Sequence, residues 1–150
     1  MQLKDFFDPD AVCLDLKAAS KDDLLAELVG LLHIDDHSSD TLLRVIQRRE
    51  SLGSTGMGRG IAIPHCRSTV ANRLRLAYGH HRHGVEFQAI DGKPVFDLFL
   101  IVAPPLEVSN LYLPVLGRIA QFAKDSDVPT RLAALGSPDD FFRLLEEKGV

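Results

Sequence analysis

The stretch Arg48–Arg67, RRESLGSTGMGRGIAIPHCR, joins a glycine-rich loop to a short apolar segment that ends at a histidine. Two arginines precede the loop, and Ser and Thr lie among its glycines. The apolar run Ile61–Pro64 has the composition of a buried strand, and His65 follows it directly. The stretch therefore predicts a helix end, a loop and a strand, in that order, with His65 held at the end of the strand.

The composition is that of an ordinary globular protein. The chain has 150 residues, 45% of them hydrophobic and 25% charged, which is enough to bury one core. Its net charge of −4 argues against nucleic-acid binding, because such proteins usually present a basic face. No signal-peptide core or membrane-spanning run is present, and the two cysteines suit a reducing compartment. We therefore expect one cytoplasmic domain over residues 1–150, without membrane insertion.

The hydrophobic pattern on both sides of the loop predicts alternating strands and helices. The expected helices begin near Ser20, Ser39 and Ser109, with two shorter ones near Pro129 and Pro138. Strands are expected at Val12–Leu16, Ile61–Pro64, Leu74–Tyr78 and Val95–Val102, the last one after a hairpin-like turn at Asp91–Gly92. Because the elements alternate irregularly, the predicted fold class is α/β, with a mixed parallel and antiparallel sheet flanked by helices.

Arg49 closes the helix that precedes the glycine loop. The apolar residues of this helix recur at helical spacing, at Leu42, Val45 and Ile46. Arg49 occupies the next position of that stripe, so we expect it to face inward. A guanidinium there needs a partner, because an unpaired buried charge is costly. Two partners remain open: the last carbonyls of its own helix, or an anion held near the loop.

The glycine loop does not match the common nucleotide-binding loops. Gly53 and Gly58 have the spacing of a P-loop, but the Lys and the hydroxyl residue that should follow are absent. A dinucleotide-binding loop follows a strand and opens a helix, whereas this loop has the reverse order. The loop is either a turn with left-handed backbone or an anion site made of N–H groups and hydroxyls. The expected anion donors are Ser54, Thr55, Gly56 and Gly58.

His65 is the candidate reactive residue. With an ordinary pKa near 6.5, a neutral imidazole can act as a nucleophile, and Arg49 would stabilise the oxygens of a transferred phosphoryl group. The alternative is a histidine that serves only the structure. Cys66 lies beside it in an extended segment, so its side chain points to the opposite face and is expected to pack in the core.

A second histidine cluster lies at Gly79–Gly84, GHHRHG. His81 and His83 would share one face of a strand, which is the spacing of a metal-binding pair. No cysteine or group of carboxylates completes a ligand set, and the flanking glycines predict an exposed turn. We therefore expect neither a metal nor a cofactor.

Three stretches of the sequence resemble one protein family. RRESLGSTGMGRGIAIPH (Arg48–His65) resembles the active-site signature of the enzyme IIA domain of the bacterial phosphotransferase system, fructose/mannitol class. LKDFFDPDAVCLDLKAASKDDLLAELVGLL (Leu3–Leu32) is similar to the family's opening, and GVEFQAIDGKPVFDLFLIVAP (Gly84–Pro104) to its central hairpin and strand. The resemblance runs nearly end to end, and it is strongest to the nitrogen-regulatory branch.

This resemblance implies a phosphorelay protein rather than an enzyme of small-molecule turnover. It implies that His65 accepts a phosphoryl group from a phosphorylated histidine carrier protein in a transient complex, and that Arg49 stabilises the phosphohistidine. The next partner is a IIB domain in the sugar-transport branch and a regulatory target in the nitrogen branch. We expect the regulatory output, and a fructose- or mannitol-specific component is the alternative.

Asn110 marks a departure from the family pattern. The family carries a second histidine at the start of the helix after the LFLIVAP strand, and Asn110 is the expected match. An amide can donate a hydrogen bond to a phosphoryl oxygen but cannot titrate, and asparagine is also a common helix N-cap. Because the nucleophile remains, we expect phosphorylation to persist. The alternative is a regulatory binding module that keeps the fold without phosphotransfer.

Overall fold

A six-stranded mixed sheet with helices on both faces forms the centre of the protein. The computed structural model describes residues 1–150. After a short 3-10 helix at Leu3–Phe6, the strands are β1 (Phe7–Cys13), β2 (Gly56–Gly58), β3 (Ile61–Ala62), β4 (His65–Arg67), β5 (Arg75–Val85) and β6 (Val95–Ala103). The helices are α1 (Lys21–Gly30), α2 (Asp36–Ser51), α3 (Tyr112–Lys124), α4 (Val128–Ala133) and α5 (Pro138–Glu147).

The strand order confirms the mixed sheet. It is β1–β5–β6–β3–β2, and β4 also pairs with β6. β1 is parallel to β5, and β3 and β4 are parallel to β6, whereas the β5–β6 and β2–β3 pairs are antiparallel. β3 and β4 follow one another along β6, with Ala62 opposite Leu98 and His65 opposite Ile101. This arrangement sets His65 against the carboxyl-terminal half of β6.

The central strands supply side chains alternately to two hydrophobic cores. On β6, Phe99 and Ile101 pack with residues of α3, α4 and α5, whereas Leu98 and Leu100 pack with residues of α1 and α2. The cores contain 20 and 19 buried residues. Because both faces of the sheet are covered by helices, the sequence of β6 is a nearly continuous run of apolar residues.

The helix boundaries follow from their capping residues. Ser20 caps α1 by accepting a hydrogen bond from the N–H of Asp23, as the sequence predicts. α2 begins earlier than predicted, because the carboxylate of Asp35 accepts the N–H of Ser38. α3 begins later than predicted, at Tyr112. None of the helices combines the length and the hydrophobicity needed to cross a lipid bilayer.

The histidine-rich segment Gly79–Gly84 lies within β5, so the exposed turn predicted from its glycines is wrong. A Cβ on its first glycine would lie 2.8 Å from Cγ of Leu16, so close packing requires glycine there. Nδ1 of His80 lies 2.7 Å from the buried carboxylate of Asp97, which also accepts the Tyr78 hydroxyl at 2.6 Å. Contacts between distant segments therefore decide the conformation of this stretch.

Candidate functional site

His65 and Cys66 lie on opposite faces of β4. Cys66 is buried in the core against α1 and α2, as the alternation of an extended segment predicts. Burial raises the pKa of its thiol to about 12, so the group stays protonated and unreactive near neutral pH. His65 faces the other side of the sheet, towards α3.

The surroundings of His65 fix the state of its imidazole. Nδ1 lies 2.6 Å from the carbonyl oxygen of Ile63. Because a carbonyl only accepts, Nδ1 carries the proton of the neutral ring and Nε2 keeps its lone pair. Burial lowers the pKa of His65 below 6.5, and the charge of Arg49 lowers it further, against the opposing effects of the Ile63 carbonyl and Glu50. The ring is therefore neutral at pH 7, with Nε2 available as a nucleophile.

His65 lines a cleft of about 590 Å³ between the glycine loop and α3. Four more of the residues selected from the sequence line it as well: Arg49, Ser54, Thr55 and Gly56. The other walls are Met57, Ile63, Gln88, Ile90, Leu116 and Ala120. Gly58 is not part of the lining, and its φ of +91° shows that it serves the turn of the loop.

Arg49 lies at the edge of the cleft and holds the end of its own helix. Its Nη1 donates a hydrogen bond to the carbonyl of Gly53, just beyond α2, at 3.0 Å. The acceptor lies in the loop, one residue beyond the C-cap Leu52, so it is neither of the two partners that the sequence left open. A guanidinium has five N–H donors, so Arg49 can keep this bond and still offer donors to an anion beside His65.

The hydroxyls and amides of the loop are bonded within the protein. The N–H of Thr55 donates to Oε2 of Glu50 at 3.1 Å, and the Thr55 hydroxyl donates to Oε1. The Ser54 hydroxyl donates to the carbonyl of Phe87 at 2.7 Å and accepts the N–H of Gly56 at 3.0 Å. These bonds occupy both hydroxyls and the N–H groups of Thr55 and Gly56, which favours the alternative of a turn with left-handed backbone. The anion site at the loop stays a prediction.

Glu50 holds the glycine loop in place through hydrogen bonds, and it was not among the candidate residues selected from the sequence. Its side chain is buried, and its Oε2 lies 3.0 Å from Nζ of Lys21, which also packs over the ring of Phe87 at 4.5 Å. The sequence does indicate that Glu50 is buried, because it continues the stripe of Leu42 and Ile46 at intervals of one helical turn. A carboxylate on a buried stripe predicts a buried partner.

Tyr112 lies beside His65. Asn110 is exposed, does not line the cleft and stands before Leu111, the N-cap residue of α3, so it is not the N-cap. Its role beside a phosphoryl group stays a prediction. The ring centroids of Tyr112 and His65 are 6.0 Å apart. The segment between β6 and α3 positions Tyr112, the first residue of α3, next to His65 of β4. The number of residues between the strand and the helix does not predict this contact.

The chain matches one family model and relatives of two kinds. The family is described as "Phosphoenolpyruvate-dependent sugar phosphotransferase system, EIIA 2", and the match covers residues 5–148. The chain is 29% identical to the Nitrogen regulatory protein of Pseudomonas aeruginosa, over 97% of this chain and 95% of that protein. It is 27% identical to the PTS system 2-O-alpha-mannosyl-D-glycerate-specific EIIABC component of Escherichia coli, over 93% of this chain but only 22% of that protein.

Solved structures share the same fold. The nitrogen regulatory protein IIA-Ntr of Neisseria meningitidis superposes with a TM-score of 0.85 at 29% identity, over 94% of this chain and 97% of that one. Enzyme IIAMTL of Escherichia coli, in its complex with phosphorylated enzyme IIBMTL, gives a TM-score of 0.74 at 21% identity, over 94% and 99% of the chains. EIIA domains are phosphotransfer components. Because the family match covers nearly all of the sequence, this chain belongs to the EIIA 2 family of the phosphoenolpyruvate-dependent sugar phosphotransferase system.

Proposed function

We propose that residues 1–150 form a phosphocarrier domain in which His65 accepts a phosphoryl group from a phosphorylated histidine carrier protein. The observation that carries the proposal is the neutral imidazole at the cleft, with Nδ1 bound to the Ile63 carbonyl and Nε2 free. Membership of a phosphotransfer family supports the type of group transferred. We expect the reaction to occur in the cytoplasm, where the free cysteines Cys13 and Cys66 stay reduced.

The proposed step moves one phosphoryl group between two imidazoles. The lone pair of Nε2 of His65 forms the new P–N bond, while the bond to the ring nitrogen of the carrier breaks and returns its electron pair to that ring. The proton on Nδ1 stays where it is. The carbonyl of Ile63, 2.6 Å away, stabilises the positive charge that the ring gains on phosphorylation.

Arg49 is the proposed stabiliser of the phosphoryl oxygens. It lines the same cleft as His65, and its bond to the Gly53 carbonyl fixes its side chain at the rim. Positive charge beside the transferring oxygens is the main protein contribution to phosphoryl transfer. We therefore assign Arg49 rather than the glycine loop as the source of that charge, because the loop donors at Ser54, Thr55 and Gly56 are already bonded.

Exposed apolar side chains near the cleft suit the approach of a protein partner. Ile90 lines the cleft with 84% of its surface exposed, and Leu52, which caps α2, is 81% exposed. Direct transfer requires the phosphohistidine of the carrier to reach His65, so the surface around the cleft must be covered in the complex. An apolar centre surrounded by polar groups is the usual composition of such a transient interface.

We propose a regulatory output, in which the phosphorylation state of His65 is read by a target protein. The similarity to Nitrogen regulatory proteins over nearly their whole length supports this branch. Transfer from His65 to a IIB domain is the competing output, supported by the similarity to sugar-specific components. Phosphorylated protein that keeps its label when mixed with fructose- and mannitol-type IIB domains supports the regulatory output, and rapid loss of the label to either domain contradicts it.

A labelling experiment tests the phosphocarrier proposal. The protein is incubated with enzyme I, the histidine phosphocarrier and phosphoenolpyruvate, and intact mass is measured for wild type, His65→Ala and His37→Ala. His37 is an exposed histidine of α2, so its replacement is the matched control. We expect one acid-labile phosphoryl group on wild type and on His37→Ala, and none on His65→Ala. A labelled His65→Ala, or an unlabelled wild type, would contradict the proposal, and the second result would favour a binding module.

A further inference from the structure

Tyr112 packs beside the proposed acceptor, His65. It begins α3, and its ring lies 6.0 Å from the ring of His65, centroid to centroid, at an interplanar angle of 52°. Leu116 and Ala120 follow at intervals of about one helical turn and line the cleft. Tyr112 therefore lies on the face of α3 that is turned towards His65.

Arg67 holds Tyr112 from the other side. Its guanidinium carbon lies 4.7 Å from the centroid of the Tyr112 ring, in a cation–π arrangement. Its Nη1 also donates to the carbonyls of Pro104 and Ser109, at 2.8 and 3.3 Å. These carbonyls belong to the segment that leads into α3, so Arg67 fixes both the ring and the start of its helix. Arg67 and His65 point to the same face of β4 because they are two residues apart.

Two independent contacts then restrict the imidazole of His65. The Ile63 carbonyl holds the Nδ1 edge, and the Tyr112 ring packs beside the imidazole at a tilt of 52°. A histidine ring that is held only by its hydrogen bond at Nδ1 can still tilt about that bond. This motion turns Nε2 away from the direction in which the phosphoryl group approaches. With both contacts, Nε2 stays at the cleft.

We propose that Tyr112, stacked on Arg67, is a positioning residue that keeps Nε2 of His65 directed at the incoming phosphoryl group. This inference rests on the phosphocarrier function proposed above. The aromatic ring of Tyr112, rather than its hydroxyl, makes the contact that positions His65. Burial raises the pKa of the Tyr112 phenol to about 12, so the residue adds no negative charge that would repel the phosphoryl group near neutral pH.

Single-turnover transfer from the phosphorylated carrier tests this role. We compare wild type with Tyr112→Phe, which keeps the ring, and Tyr112→Leu, which removes it. Phe142→Leu is the matched control, because it removes a half-buried ring of α5 that packs on Phe7 and Phe141 instead. We expect Tyr112→Phe and Phe142→Leu to transfer at close to the wild-type rate, and Tyr112→Leu to be slower by about tenfold or more.

The outcomes separate this inference from the phosphocarrier proposal. If wild type is labelled on His65 and Tyr112→Leu is equally fast, the positioning role is overturned and the phosphocarrier proposal stands. If Tyr112→Phe is as slow as Tyr112→Leu, the hydroxyl rather than the ring acts, and the inference is also overturned. An unlabelled wild type overturns both.

NMR relaxation of the unphosphorylated imidazole gives a second readout that does not depend on transfer. We expect the His65 ring to be rigid in wild type and Tyr112→Phe, and to move between orientations in Tyr112→Leu, seen as exchange broadening of its signals. The variant Arg67→Lys removes the guanidinium that holds Tyr112 and is expected to show an intermediate effect. An imidazole that is as rigid in Tyr112→Leu as in wild type would overturn the proposal.

Discussion

At the scale of single residues, His65 takes its properties from its own strand segment, the end of α2 and the wall of the cleft. Burial and the nearby charge of Arg49 lower its pKa, while the Ile63 carbonyl and Glu50 act in the opposite direction. Burial is the largest of these effects. The imidazole therefore stays neutral into mildly acidic solution, where an exposed histidine would take up a proton.

We expect an NMR titration to place the pKa of His65 below the ordinary value of about 6.5. Replacing Arg49 by Gln removes one of the causes that lower it and should raise the measured pKa towards that value. A pKa of His65 at or above about 6.5 in the wild type would contradict the description of the site.

The same shift predicts how His65 affects stability. Since its pKa is lower in the folded protein, the unfolded chain takes up the proton first as the pH falls through about 6.5. This part of the folding free energy is complete above that pH and is lost progressively down to the folded pKa. We expect wild type to lose stability relative to His65→Gln as the pH falls below about 6.5, as measured by urea unfolding. An unchanged difference between the two proteins would exclude this coupling.

Two glycines of the loop make a matched pair for a packing test. A Cβ on Gly56 would lie 2.7 Å from both Cα and Cβ of Ala89, whereas a Cβ on Gly53 would meet nothing within 4 Å. We expect Gly56→Ala to lower the free energy of unfolding by about 1–3 kcal/mol and to slow phosphoryl acceptance, because the cleft wall must move. Gly53→Ala should behave like wild type in both assays. Equal effects at the two positions would contradict the packing.

His65 and Arg49 could be selected from the sequence as candidates, but most contacts around them could not be predicted. The helical stripe predicted that Arg49 faces inward, whereas Glu50 takes the buried position and Arg49 is half-buried, with a loop carbonyl as its partner. The contact of His65 with Tyr112 of α3 could not be predicted from sequence spacing, because it depends on the conformation of the segment that precedes α3. Thr55 looked like a free anion donor because its partner, Glu50, is recognisable only from the burial of its helix face.

At the scale of elements, the buried carboxylate of Glu50 joins α1, α2 and the glycine loop. It lies 3.0 Å from Lys21 and accepts both the N–H and the hydroxyl of Thr55. A buried carboxylate with this many donors is tied to one arrangement of the surrounding elements. The cleft wall therefore depends on a side chain that does not itself line the cleft.

We expect Glu50→Ala to lower the free energy of unfolding by about 3 kcal/mol, because it leaves the Lys21 ammonium and two Thr55 donors without their acceptor. Glu146→Ala is the control, since that exposed glutamate of α5 pairs with Lys4 at the surface. Chemical denaturation measures both variants. If Glu50→Ala is no less stable than Glu146→Ala, Glu50 does not organise the loop.

The boundaries of helices and strands could be predicted where they depend on neighbouring residues, but not where they depend on distant parts of the chain. The cap at Ser20 was predictable because its partner, Asp23, lies within the same helical turn. β5 is longer than predicted, because its histidine-rich half is held by Asp97 and Leu16 from other strands and loops. Gly79 in this strand serves close packing rather than a turn.

At the scale of the whole molecule, one sheet with two covered faces keeps the proposed acceptor His65 half-buried at the cleft. The α/β class and the mixed sheet were predictable, because strand and helix patterns alternate irregularly along the sequence. The strand order was not, since the β1–β5, β3–β6 and β4–β6 pairings join segments far apart in the chain. That order brings His65, Tyr112 and Arg49 together.

The most direct test of the central claim is the position of the phosphoryl group on the protein labelled by the carrier. Phosphorus and nitrogen NMR of that protein identify the modified ring nitrogen, and peptide mapping identifies the residue. The structure predicts phosphorylation at Nε2 of His65, with Nδ1 still protonated and hydrogen-bonded to the Ile63 carbonyl. A phosphoryl group on Nδ1, or on any residue other than His65, would contradict the account.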